Sequence, residues 1–260
     1  MLTRHTGMRA IVVLAVLAIP CLLAGCLAPL PREMTLDVGN GVTMKLVLIP
    51  AGKFLMGEEG PQKREVTISK PFYMGMTEVT QAQYEAVMGK NPSNFKGGTY
   101  PVETVSWNDA TEFCKKLSEK TQQAVRLPTE AEWEYACRAG SKTGFSFGDA
   151  ESALGDYAWY HGNSGGTTHP VGQKKPNAWG LYDMHGNVWE WCADWYGDYA
   201  KGAATNPSGP ASGSFRVLRS GGWNDGLNNC RSALRGSYTP GDRDYYFGFR
   251  VVVSVSAPGP

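Results

Sequence analysis

Between residues 144 and 246 the chain carries Gly, Pro, Asn, Asp and Trp at high density and shows no sustained helical or strand period. About a hundred residues without regular elements argue against an ordinary layered domain, because structureless loops of that length are uncommon in compact proteins. A core built from irregular backbone avoids the conflict, and the composition suits one: 32 Gly to permit positive φ, with 8 Trp and 12 Tyr to supply buried area. With 260 residues there is room for one large domain, and the absence of a repeat excludes a solenoid. A formal net charge of +1 provides no field for nucleic acid, so none is expected as a partner.

The first segment reads as an address. Arg4 and Arg9 precede an apolar run over residues 10–25, broken by Pro20, which is too short to span a bilayer and fits a secretory signal peptide of residues 1–25. The run ends in Leu23-Ala24-Gly25-Cys26, a tetrapeptide that resembles the bacterial lipobox. That resemblance implies acylation of Cys26, removal of what precedes it, and a lipid-anchored protein of the bacterial envelope. Residues 26–40, with Pro29 and Pro31, read as the lipidated end and a tether, and residues 41–256 as the folded domain. Loss of Arg4 and Arg9 leaves the mature chain near neutral, so its attachment to a membrane rests on lipid rather than on charge.

Strands are expected at 44–49, 53–56, 64–68 and 72–76, and a closing strand at 248–253. Three helix starts carry a hydroxyl cap with an acceptor three residues on, namely Thr80 with Gln83, Ser106 with Asp109, and Thr129 with Glu132. Gly89 and Gly140 are the expected stops, and Trp107, Ala110, Phe113, Cys114 and Leu117 form one apolar helix face. Cys114, Cys137, Cys192 and Cys230 allow three disulfide connectivities or none, and the sequence does not choose among them. Gly162-Asn163-Ser164-Gly165-Gly166 matches the nucleophile-elbow spacing by chance, since no apolar helix follows it; His161, His169 and His185 lack zinc-ligand spacing.

A series of landmarks runs through the chain in a fixed order. It comprises residues 48–57 (from Leu48-Ile49-Pro50-Ala51-Gly52 to Gly57), Thr77-Glu78-Val79-Thr80, Val105-Ser106-Trp107, Arg126-Leu127-Pro128-Thr129-Glu130-Ala131-Glu132-Trp133-Glu134, Gly180-Leu181-Tyr182-Asp183-Met184, Gly186-Asn187-Val188-Trp189-Glu190-Trp191 and Gly248-Phe249-Arg250. Together they resemble the formylglycine-generating enzyme, or sulfatase-modifying factor, family. The resemblance implies an α+β fold of the elaborated C-type-lectin-like kind, with few helices, short strands and much irregular structure.

It also implies two metal sites. The family's oxidase holds copper(I) between two cysteines five residues apart; here Cys230 matches the second position and Asp225 stands at the first. A hard carboxylate does not replace a soft thiolate, so copper is not expected, and Cys230 is the one candidate catalytic thiol left. The family's calcium segment maps onto Asp183, Gly186, Val188 and Glu190, an oxygen set that suits calcium, which would then raise the melting temperature. The alternative is a turn Asp with a core Glu paired to Arg.

From Trp223 onward the chain mixes Tyr, Ser, Gly and Asn as antibody loops do. This segment resembles the variable region of lectin-fold proteins diversified by retroelements. On that reading Trp223, Asn224, Asp225, Asn228, Asn229, Ser237, Tyr238, Asp242, Asp244, Tyr245 and Tyr246 contact a protein or peptide ligand. Two functions of different class follow: a tethered ligand-binding module, preferred because Asp225 replaces a cysteine, and an oxidase converting a sulfatase cysteine to formylglycine.

Overall fold

The computed structural model describes residues 29–60 and 63–255. The signal peptide of residues 1–25 and the acyl-bearing Cys26 lie outside the described residues. In chain order the elements are β1 (Glu33–Gly39), β2 (Val42–Ile49), β3 (Gly52–Met56), β4 (Arg64–Ile68), β5 (Phe72–Gly75), α1 (Gln81–Met88), α2 (Trp107–Thr121), β6 (Val125–Arg126), α3 (Glu130–Arg138), α4 (Leu154–Tyr157), β7 (Trp189–Trp195), β8 (Ala204–Thr205), β9 (Arg216–Arg219), β10 (Gly236–Tyr238), β11 (Phe247–Gly248) and β12 (Val252–Ser254). Short strands and few helices make this an α+β fold, as expected.

Three sheets organise the strands, in the orders β1-β2-β5-β12-β6, β10-β9-β7-β11 and β3-β4-β8. The first sheet exposes one face along β1 and the start of β2 and packs on both faces from the end of β2 onward, as alternation along its strands shows. Met44 and Leu46 of β2 join Tyr84 of α1 and Phe113 and Leu117 of α2 in one core, while Val47 and Ile49 join Trp133 and Ala136 of α3 in a second. β7 and β9 divide in the same way, sending Trp191 and Leu218 to the first core and Cys192 and Val217 to the second.

All three helices of the first half start on complete capping boxes at Thr80, Ser106 and Thr129, the Asp109 version included. Gly89 ends α1 in the left-handed region at φ 74, but α3 ends on Ala139 at φ 45, one residue before the expected Gly140. The expected closing strand is split into β11 and β12, because Phe249, Arg250 and Val251 turn aside to hold other segments: the carbonyls of Phe249 and Val251 accept the amides of Val79 and Gly75.

One boundary is corrected. The tether reading of 26–40 includes β1, which pairs antiparallel with β2 through a two-residue turn, Asn40-Gly41, whose residues both lie at positive φ (55 and 74). That is the geometry of a type I′ hairpin turn, in which Asn-Gly is favoured because both positions need the left-handed region. Val38 is fully buried, so the folded domain begins at β1, before residue 41.

The irregular stretch after α3 is fastened by side chains. Asn177 Nδ2 donates to the carbonyls of Ala136 and Cys137, while its Oδ1 accepts the amides of Trp179 and Leu181. Buried backbone groups need partners, and here side-chain amides stand in for a ladder. A small third core of Phe145, Leu154, Ala158 and Cys230 fills the space beneath.

Candidate functional site

The residues expected to contact ligand separate into a partly exposed aromatic strip and the groups that hold it. Trp223 and Tyr245 are tilted against each other at 5.7 Å, and Phe95 stands edge-on to both, at 5.5 and 6.4 Å. Ring contacts continue from Tyr245 to Tyr246 at 5.4 Å, from Tyr246 to Phe247 at 4.7 Å, and from Phe247 to Tyr238 at 4.7 Å. Tyr245 and Tyr238 are more than two-fifths exposed, and Asn224, Asn228 and Asn229 are exposed beside Trp223. Phe95 carries no signal in the sequence. It reaches the strip because Glu103, fully buried, accepts the Phe95 amide at 2.8 Å and fixes the loop after α1.

Three expected contacts turn inward. Asp225 accepts Trp189 Nε1 at 2.6 Å and the Gly222 amide at 2.9 Å on Oδ2, and Asn229 Nδ2 at 2.6 Å on Oδ1, so both oxygens are used in clamping the loop over 222–229. Asp242 Oδ2 accepts the Thr239 amide and Asp244 Oδ1 that of Tyr245. Ser237 is half-buried in β10, opposite Val217. Tyr246 is half-buried, and its phenol is held above the ordinary tyrosine range by burial and by bonds to Tyr238 and Asp244.

The copper position does not suit that ion. Asp225 is committed to three donors, and Cys230 is a buried thiol near the Gly226 carbonyl (3.6 Å) that burial pushes up to about 12, which disfavours the thiolate. Cys114, Cys137, Cys192 and Cys230 are all free and buried. Buried thiols of this kind pack as small apolar groups. Ser164 of the elbow-like match is buried in a turn, its hydroxyl donating to the Trp223 carbonyl at 2.8 Å.

The expected calcium set divides: Glu190 is committed to other donors, while Asp183 Oδ1 and both oxygens of the neighbouring Glu78 are buried without a hydrogen-bond partner. Glu190 accepts Arg250 through both oxygens, at 2.6 and 2.7 Å, and Trp133 Nε1 at 2.8 Å, all fully buried. The Gly186 carbonyl accepts the Ser220 hydroxyl at 3.2 Å, and the same hydroxyl reaches the Asp183 carbonyl at 3.2 Å. Asp183 Oδ2 accepts the Gly172 amide at 2.7 Å. Among the described residues no three Asp, Glu, His or Cys side chains are grouped to hold a metal. The Ser220 hydroxyl thus ties the Asp183 and Gly186 carbonyls together, and Glu190 is held by a buried pair with Arg250. Behind it, burial holds the Glu78 carboxyl well above the usual range, and raises that of Asp183 to about 6. Desolvation and the neighbouring Asp183 charge together disfavour ionisation of Glu78.

A second buried charge system holds the segment over 232–235. Arg219 donates to Glu134 at 2.6 Å, Arg138 to Glu134 at 2.8 Å, and Arg235 to both oxygens of Glu130 at 2.6 and 2.9 Å. His185 is buried and held neutral, its pKa lowered to about 4 by desolvation; Nδ1 meets the Cys230 carbonyl at 2.8 Å and Nε2 the Ser146 amide at 3.1 Å.

Comparison with known proteins agrees with this picture. The mouse formylglycine-generating enzyme is 31% identical over 79% of this chain and 74% of its own length. A Paenibacillus barcinonensis protein named Chaperone protein LppX is 33% identical over 82% of this chain and 90% of its own. The solved structure of Treponema denticola variable protein 1 superposes with a TM-score of 0.81 at 36% identity, over 86% of this chain and 99% of that one. The sequence pattern described as Sulfatase-modifying factor enzyme 1-like domain matches residues 37–255, and the chain belongs to that family, with its elaborated C-type-lectin-like fold.

Proposed function

We propose that the protein is an envelope lipoprotein, acylated on Cys26, whose domain binds a protein or peptide ligand through the strip of Phe95, Trp223, Tyr245, Tyr246 and Tyr238. The observation that carries this reading is a braced aromatic cluster that exposes Tyr238 and Tyr245 and half-exposes Phe95, Trp223 and Tyr246, beside an Asp225 that spends both oxygens on bracing its loop. Rigid aromatics give contact area at low entropic cost, and exposed Asn side chains adapt their hydrogen bonds to the partner. The likeness to proteins named a chaperone and a variable protein supports binding over oxidation. If the segment is diversified, a near-copy of its coding DNA lies beside a reverse transcriptase gene.

Panning a displayed random-peptide library on the mature chain tests the reading. Selected peptides should lose about tenfold or more in affinity on Trp223→Ala or Tyr245→Ala, as centrally placed aromatic anchors do. Peptides indifferent to both substitutions would place binding elsewhere. The oxidase reading, favoured by the likeness to the mouse enzyme, is tested by mass measurement of a Cys-x-Pro-x-Arg peptide incubated with the protein, copper and oxygen. An unmodified peptide, beside an active control enzyme, is the expected result.

A further inference from the structure

The loops after β7 close over a cavity of about 320 Å³ at the amino end of α3. Its walls are mostly apolar, formed by Met56, Ala131, Tyr199, Ala204, Pro207 and Pro210, and Asp194 opens onto it. Asp194 is only 4% exposed. Its Oδ2 accepts the Glu130 amide at 2.8 Å, and Oδ1 faces the loop over 207–210, 3.2 Å from where a Cβ on Gly209 would stand.

The neighbouring buried acids are neutralised: Glu130 by Arg235, with the Tyr199 hydroxyl at 3.0 Å, and Glu134 by Arg138 and Arg219. Asp194 makes no ion pair among the described residues. The α3 terminus offers it about half a positive charge, which leaves the rest uncompensated. Desolvation and the charge of Glu130 push its carboxyl up to about 7, outweighing the Glu130 amide and the Arg235 charge that hold it down. Arg64, on the same wall, lies over the Tyr199 ring at 4.8 Å and donates to the Ala200 carbonyl at 3.2 Å.

We infer that this cavity binds a primary ammonium group on a short unbranched aliphatic chain, with Asp194 as counter-ion and the apolar walls around the methylenes. An ammonium presents compact N–H donors to one carboxylate oxygen. A quaternary ammonium offers none, and a guanidinium fork needs a second in-plane acceptor that Glu130, already saturated by Arg235, does not provide. The group can come from a free alkylamine or from a lysine side chain of a polypeptide.

Titrating the mature protein, methyl-labelled at methionine, with n-butylamine, with Nα-acetyl-lysine N-methylamide and with n-butanol tests this, the Met56 methyl serving as reporter. At least one amine should shift that signal saturably, and butanol at the same concentrations should not. A response to butylamine alone identifies a free amine as the ligand, and a response to the lysine derivative identifies a polypeptide side chain. Asp194→Asn, which keeps an acceptor for the Glu130 amide, should weaken binding about tenfold or more. Ala204→Trp, which fills the cavity and leaves Asp194 in place, should abolish binding, and decides the matter if the Asn variant does not fold. No saturable shift with either amine, an equal response to butanol, or affinity unchanged in the folded variants overturns the inference.

Discussion

At the scale of single residues, Asp225 shows how one substitution changes what a loop is for. Where copper chemistry needs a thiolate, this chain has a carboxylate that gathers an indole N–H, a backbone amide and a side-chain amide. Removing it strands three donors in a half-buried turn. Asp225→Ala should therefore cost about 2 kcal/mol in urea unfolding, within the range for leaving buried donors unsatisfied. A variant as stable as the parent would mean that the clamp contributes nothing. Glu190 and Arg250 carry the same logic into the core. Because the Glu190 carboxylate is already satisfied, millimolar calcium should leave the melting temperature of the mature protein where a chelator leaves it, and a rise of several degrees would restore the cation site.

Among elements, the β1–β2 hairpin separates two readings of the amino-terminal segment. Gly41 has open space around its Cα, so only its φ of 74 opposes a larger residue there. Gly41→Val would be silent in a tether, but in the type I′ turn it should cost about 1–2 kcal/mol, the penalty for a side chain in the left-handed region. Thermal melting distinguishes these outcomes. Asn40-Gly41 is a strong local turn signal, but Pro29 and Pro31 just before β1 give that segment the composition of an extended tether. The capping boxes were fully legible because their chemistry is local, spanning three residues each. Phe95 was not legible: it meets Trp223 across 128 positions of sequence, through a fold that a single aromatic in a polar loop does not announce. Likewise the inward turn of Asp225 depends on Trp189, which only the β7 backbone brings within reach.

For the whole molecule, buried titratable groups set the response to pH. Asp194 has a folded pKa of about 7 against an ordinary 3.8, so the native state holds a proton that the unfolded chain has lost. Its contribution is therefore fully present below pH 3.8 and is lost as pH rises through 7. His185 works in the opposite direction over an overlapping window: lowered from 6.5 to about 4, it leaves the fold unprotonated and withdraws stability as pH falls from 6.5 toward 4. In the parent the histidine slope is opposed by Asp194 together with Asp183 and Glu78, whose carboxyls are also raised. Asp194→Asn should remove the Asp194 share, gaining stability relative to the parent between pH 4 and 8 by up to about 4 kcal/mol, the full value of the shift. Parallel unfolding curves at all pH values would show that Asp194 titrates normally.

The place of β12 in the first sheet sets the order of events when the chain is made. β12 lies between β5 and β6, so the last of the described strands to be synthesised supplies an interior rung of the sheet. Until it arrives, β5 has an open edge, Arg250 is not in place to neutralise Glu190, and both cores lack a wall. The domain therefore cannot mature progressively from its amino end. A chain that has emerged only as far as β11 remains an open, sticky intermediate, its β5 edge free to pair with the wrong strand.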